Sequence, residues 1–191
     1  MPRVLTNSYE ELVKKAQYLF WLKGYKSVSP KELASHLDVS VSTIYNKYTK
    51  EMLFLDALKD YIRTCTDPVL SEIRESTEGV ESFRNFFYKL IDALLTKTFP
   101  RSCLMVNTVM ELRDEEPQVT TIYNEYFDNM IESYSIVLRR AYELKEIKHQ
   151  QRIKEYAEFL LGMIFELGIL YNVKNRKELE DFVDEQLSLL E

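Results

Sequence analysis

Apolar side chains recur three and four positions apart along almost the whole chain, the spacing of helices that each bury one face. The first such run is Leu12, Ala16, Leu19 and Phe20. Ser8 and Glu11 precede it in capping-box order, in which each side chain satisfies a backbone N–H that the helix leaves orphaned. Gly24 closes the run, at a place past the C-cap that calls for positive φ. Ser29 and Glu32 repeat the capping-box pattern, and Pro30 takes the first helical position, where a missing N–H costs nothing. Leu33, Ala34 and Leu37 give this second helix a short apolar face. Asp38-Val39-Ser40 reads as a tight turn, since Asp tolerates the left-handed conformation and Ser40 can cap the next helix. That third helix, from Val41 to about Tyr48, turns Ile44 and Tyr48 inward.

The same spacing continues from Glu51. It predicts one long helix over about 51–76, kinked at Pro68, and further helices at about 80–98, 102–112, 117–144, 150–173 and 175–190. Gly79, Pro100 and Pro117 mark the breaks, and Asn175 is a cap. The pattern gives an all-α chain of about nine helices, in line with only 4 Gly and 5 Pro among 191 residues.

An apolar content of 46% supports globular domains with real cores. No stretch of 18 residues lacks charge, and no apolar signal region opens the chain, so a cytoplasmic protein with no membrane partner is expected. Cys65 and Cys103 are too few and too scattered for a disulfide framework. His36 and His149 lie far apart, and no Cys/His/acid cluster has metal-ligand spacing, so neither a metal nor another cofactor is expected. Phosphate loops, nucleophile elbows and paired carboxylates are missing too, which argues against an enzyme.

The net charge of −6 speaks against nucleic acid until its distribution is read. Residues 1–50 carry eight Lys or Arg and four acids, a net +4, while residues 51–191 carry a net −10. A basic head on an acidic body suits a head that meets phosphate. That head also holds two short helices joined by a tight turn behind a supporting helix, the makings of a helix-turn-helix. Its third helix offers Ser42, Thr43, Tyr45, Asn46 and Lys47 on the outer face, groups that reach base edges and phosphates.

Leu19-Phe20, Gly24-Tyr25, Leu33-Ala34, Val39-Ser40 and Thr43-Ile44-Tyr45-x-x-Tyr48 together resemble the tetracycline-repressor-like regulators over residues 8–58. The resemblance implies an all-α homodimer. Its N-terminal helices, taken as a domain over 1–50, would bind a double-stranded, palindromic operator. Its variable C-terminal helices, taken as 51–191, would bind a small-molecule inducer and dimerise. It also implies that Ser29 and Lys31 touch phosphate and that Thr43, Tyr45, Asn46 and Lys47 face DNA. Two features depart from the family pattern. Lys50, taken as a further phosphate contact, stands one residue earlier than the lysine that begins the family's fourth helix, and Val41-Ser42 replaces a polar-Gly or polar-Pro pair.

The body carries few signatures beyond its aromatic residues. Cys103 and Asn107 are four apart, hence on one helical face, with Phe127, Met130, Phe159 and Met163 as an apolar wall for a hydrophobic or aromatic ligand. Each ring taken singly is as well explained as core. A stripe of Tyr156, Leu160, Ile164 and Leu167 and another of Leu179, Phe182, Val183 and Gln186 suit a two-fold four-helix dimer interface, or burial inside one chain. Two other readings remain: a thiol sensor of oxidants or electrophiles at Cys103, with Arg101 nearby, and a helical enzyme or interaction module with an incidental helix-turn-helix.

Overall fold

A computed structural model describes residues 8–96, 100, 103–112 and 115–190. Arg101, placed near Cys103 in the thiol-sensor reading, and residue 102, the expected start of a helix, lie outside the described residues. Among the described residues ten α-helices follow one another: α1 (Tyr9–Lys23), α2 (Pro30–His36), α3 (Val41–Asn46), α4 (Lys50–Tyr61), α5 (Asp67–Glu75), α6 (Val80–Leu95), α7 (Leu104–Leu112), α8 (Pro117–Glu143), α9 (Ile153–Leu170) and α10 (Arg176–Ser188). No strand occurs among the described residues.

The single helix expected over 51–76 is interrupted. Between α4 and α5, Ile62–Thr66 takes the wider π-helical register. Pro68 sits in the first turn of α5. It offers no N–H and its ring collides with the carbonyl four residues back, so the ladder loosens ahead of it. Counting α4 and α5 apart turns the expected nine helices into ten.

The chain forms two compact units. The first comprises the described residues up to Cys65 together with Leu104–Tyr123. Its centre is the packing of α1 on α4, where Leu12, Ala16, Phe20, Leu53, Ala57 and Leu58 are fully buried. The Phe20 and Phe54 rings meet edge to face at 5.1 Å, and Trp21 and Tyr61 do so at 5.0 Å. Helix α7 packs against α4 in the same unit. This partition differs from a division at residue 50, because the face of α1 turned away from α2 needs apolar cover and α4 supplies it.

The second unit comprises the described residues within Thr66–Cys103 and from Asn124 onward. Helix α6 packs on α10, α9 and α5. Phe83, Phe87, Ile91, Tyr134, Leu160, Leu167, Leu179 and Val183 show no accessible surface. Polar ties close the bundle. The Arg140 guanidinium donates to the Arg74 carbonyl at 2.6 Å and the Glu78 carbonyl at 3.1 Å, satisfying acceptors left free past α5. The Arg84 guanidinium binds Asp184 at 2.8 Å, joining α6 to α10.

Candidate nucleic-acid interface

Three caps hold the α2–α3 pair. Ser29 caps α2, its Oγ accepting the Glu32 N–H at 3.1 Å. The expected return bond is absent, because the Glu32 carboxylate pairs with Lys23 of α1 instead. Ser40 caps α3, accepting the Thr43 N–H at 3.1 Å and meeting the Thr43 hydroxyl at 2.8 Å. Thr49 caps α4, accepting the Met52 N–H at 3.1 Å. Between α2 and α3 Asp38 has φ of 53°, the left-handed residue that the turn required. The Val39 N–H closes that turn on the Ala34 carbonyl at 3.0 Å.

Leu33, Ala34, Leu37 and Ile44 are buried, so they seal the crossing as their spacing predicted. Tyr48 packs on the Tyr9 ring of α1 at 4.9 Å. The Tyr9 hydroxyl donates to Asp56 at 2.6 Å, and burial with that carboxylate pushes it far above the usual phenol range. On the outside, Ser42, Asn46, Lys47 and Lys31 are exposed, Thr43 is half-buried and Tyr45 is 64% exposed. Asn46 Nδ2 donates to Ser42 Oγ at 2.9 Å, so these two hold each other when no DNA is present. The Lys47 ammonium lies 4.8 Å from the Tyr48 ring centroid. Lys50 opens α4 but turns to Tyr25, its ammonium 4.1 Å from that ring centroid. Partial burial draws its pKa down, against the pull of the Glu111 charge. Its expected place on phosphate therefore competes with an aromatic face.

Of the residues expected to hold a ligand, Asn107 belongs to the first unit and the other five to the second. Cys103 precedes α7 rather than lying within it, so the one-face argument linking it to Asn107 does not hold. Its Sγ lies 3.5 Å from the Tyr126 hydroxyl. Met130 and Met163 are buried, Phe127 and Phe159 half-buried. Among the described residues, two buried side-chain polar atoms lack a hydrogen-bond partner, Asn107 Nδ2 and the Tyr134 hydroxyl. From sequence, Asn107 is a named ligand candidate, whereas Tyr134 counts only among the body's aromatic residues, a subset of which is expected to line a cavity. Burial, with Cys103 nearby, keeps the Tyr134 phenol well above its usual range, so it stays a donor.

The proposed dimer stripes need correction. Tyr156, Leu160, Ile164, Leu167, Leu179 and Val183 are buried within one chain, because α9 and α10 close their apolar faces inside the second unit. Only Phe182 and Gln186 of that set stay part-exposed. The large apolar side chains open to solvent on this stretch are Ile169 at 70%, Val173 at 78% and Leu189 at 64%. In the first unit Lys26 pairs with Glu115 at 2.6 Å.

Residues 79–183 match the sequence model of the tetracyclin repressor-like C-terminal domain, more than half of the chain. The chain belongs to the tetracycline-repressor-like family of transcriptional regulators. It is 25% identical over 183 residues, 94% of each chain, to the uncharacterised helix-turn-helix regulator YezE of Bacillus subtilis strain 168. Its fold matches that of the regulator CifR, solved as a cysteine-substituted variant with a 26-bp operator duplex, at a TM-score of 0.84 and 19% identity over all of both chains. The fold of FadR from Bacillus subtilis, solved with stearoyl-CoA, matches at a TM-score of 0.72 and 19% identity, covering 96% of this chain and 97% of that one. As a member of this family the chain is a regulator that binds operator DNA through its helix-turn-helix. Among the described residues no helix is long and apolar enough to cross a membrane, and no three His, Cys, Asp or Glu cluster as metal ligands.

Proposed function

We propose that this regulator is a repressor that binds a palindromic operator as a homodimer and releases it when a small hydrophobic or aromatic inducer enters the second unit. The carrying observation is α3, which buries Ile44 alone and leaves Tyr45, Asn46 and Lys47 outward. Tyr45, Thr43, Asn46 and Ser42 would read the major groove, while Ser29, Lys31 and Lys47 would hold phosphates. Two such helices must stand about 34 Å apart to enter successive grooves, which requires a second copy. Ile169, Val173, Leu189 and part-exposed Phe182 would supply apolar surface for that pairing, with Gln186 as a polar member of it. For the inducer, the unpartnered Tyr134 hydroxyl is the supporting observation. A buried donor left unmatched costs about 1–3 kcal/mol, which a ligand oxygen would recover. Cys103, Phe127, Met130, Phe159 and Met163, all of the second unit, would form the wall around it. FadR, of similar fold, was solved with stearoyl-CoA, a ligand that carries a long apolar chain.

The test is fluorescence anisotropy on an operator selected by the protein from random duplexes. Log affinity should fall linearly with log salt as bound phosphates release counterions. Stearoyl-CoA and a panel of small aromatic compounds would then be titrated for release. Failure of every compound while binding persists would remove the inducer reading alone. A thiol-sensor reading draws on the Cys103 contact with Tyr126. Under that reading hydrogen peroxide or N-ethylmaleimide should release DNA from the wild type but not from Cys103→Ser.

A further inference from the structure

Glu111, in the last turn of α7, sets its carboxylate into the turn between α1 and α2. The Tyr25 N–H donates to Oε2 at 2.8 Å and the Lys26 N–H to Oε1 at 2.6 Å. Gly24 makes the approach possible. Its φ of 81° with ψ of 163° lies where side chains rarely go, and a Cβ there would stand 2.7 Å from Oε2. Around this clasp, Lys26 pairs with Glu115 at 2.6 Å and Lys50 covers the Tyr25 ring. All of these residues lie in the first unit.

The clasped turn runs directly into Ser29, the cap of α2. Helices of seven and six residues have no stability of their own, so the tilt of α2 and α3 depends on what holds their ends. On one side His36 Nε2 donates to the Lys15 carbonyl at 3.1 Å. On the other, the entry to α2, stands the Glu111 carboxylate, accepting two charge-assisted bonds from backbone.

We propose that Glu111 is a positioning residue for DNA reading: its carboxylate fixes the turn at Gly24–Val28 and so presents α2 and α3 at the angle the operator requires. The electrostatic expectation has the opposite sign. An acid in a basic head repels phosphate, so its neutralisation by itself strengthens binding to any duplex. Positioning predicts the reverse for the operator alone.

The experiment compares wild type with Glu111→Gln, Glu111→Ala and Gly24→Ala by fluorescence anisotropy. It uses the selected operator and a scrambled duplex of the same composition at several salt concentrations. Glu111→Gln is isosteric, and its amide group opposes one of the two N–H donors. Gly24→Ala wedges the clasp from the other side. Operator affinity should fall about tenfold in each variant, while scrambled-duplex affinity holds or rises. Hydrogen exchange at the Tyr25 and Lys26 amides should accelerate, and the thermal midpoint should move by no more than a few degrees. An operator-to-scrambled ratio within twofold of wild type in Glu111→Ala and Gly24→Ala overturns the proposal. A parallel change on both duplexes also does, since that marks a charge effect. The proposal rests on α3 being the reading helix, and Tyr45→Ala in the same assay tests that separately: if it binds the operator like wild type, the reading helix fails rather than the clasp.

Discussion

Helix α3 buries one of its six residues, whereas α9 buries eight of its eighteen. The first is held by its ends, through Ser40 at its cap and Asp38 in the turn before it, and by Ile44 as a single anchor. The second is held along its length, and what it offers a partner is the remainder: part-exposed Phe165 and, at its end, Ile169. A working surface on a capped, shallow helix is set by local chemistry. A working surface on a deeply packed helix is whatever the bundle leaves uncovered. The two clasps in the molecule differ in the same way. At Gly24 a carboxylate meets a backbone that only glycine adopts readily. At Gly79 the Glu146 carboxylate accepts the Val80 N–H at 2.7 Å, φ is an ordinary −92°, and the constraint is contact, since an added Cβ would run into that carboxylate and stand 2.8 Å from the Ala141 Cα of α8.

A charge placed at a buried position of α9 and at exposed positions on and just past it separates the two kinds of surface by the largest effect. Leu160→Glu buries an unpaired carboxylate and should cost more than about 4 kcal/mol, abolishing the cooperative thermal transition seen by circular dichroism. Ile169→Glu with Val173→Glu touches exposed positions and should change protomer stability by only about 0.5 kcal/mol each. Sedimentation should nevertheless show monomers, with operator binding lost. Dimers that survive this pair would move the interface elsewhere.

Next in size are the glycines. Gly79→Ala drives a methyl into α8 backbone and should destabilise by about 1–3 kcal/mol in urea unfolding. Gly162→Ala meets nothing within 4 Å and should stabilise α9 by about 0.5–1 kcal/mol. Equal effects at both would show that the bundle does not constrain Gly79 through contact with α8.

On α3, Tyr45→Ala and Lys47→Ala should each weaken operator binding about tenfold, near 1.4 kcal/mol, with unfolding unchanged. Lys47→Ala should also lower the salt slope by about 1, and Tyr45→Ala should leave it alone if the ring reads a base. The smallest effect is expected at Tyr134. Removing its unpartnered hydroxyl in Tyr134→Phe should leave the protein as stable or about 1 kcal/mol more so, while inducer response falls. A clear loss of stability would mean that the hydroxyl is satisfied in solution.

Local chemistry was enough, from sequence alone, for the all-α class, the caps at Ser8, Ser29, Ser40 and Asn175, the turn at Asp38, the inward Ile44 and the outward Tyr45. Each follows from residues within about four positions of one another, where spacing translates directly into geometry. The tertiary structure alone decided the rest. It broke the helix expected over 51–76 into two around a π-helical stretch, and it turned Leu160, Leu179 and Val183 from expected interface into core. It brought Glu111 onto amides 86 and 85 residues away, drew Lys50 over Tyr25 and left the Tyr134 hydroxyl without a partner. Helical periodicity says which side of a helix is apolar, but not whether its own chain or another covers that side. It is blind to where a long-range carboxylate lands, because that depends on how helices distant in sequence pack together.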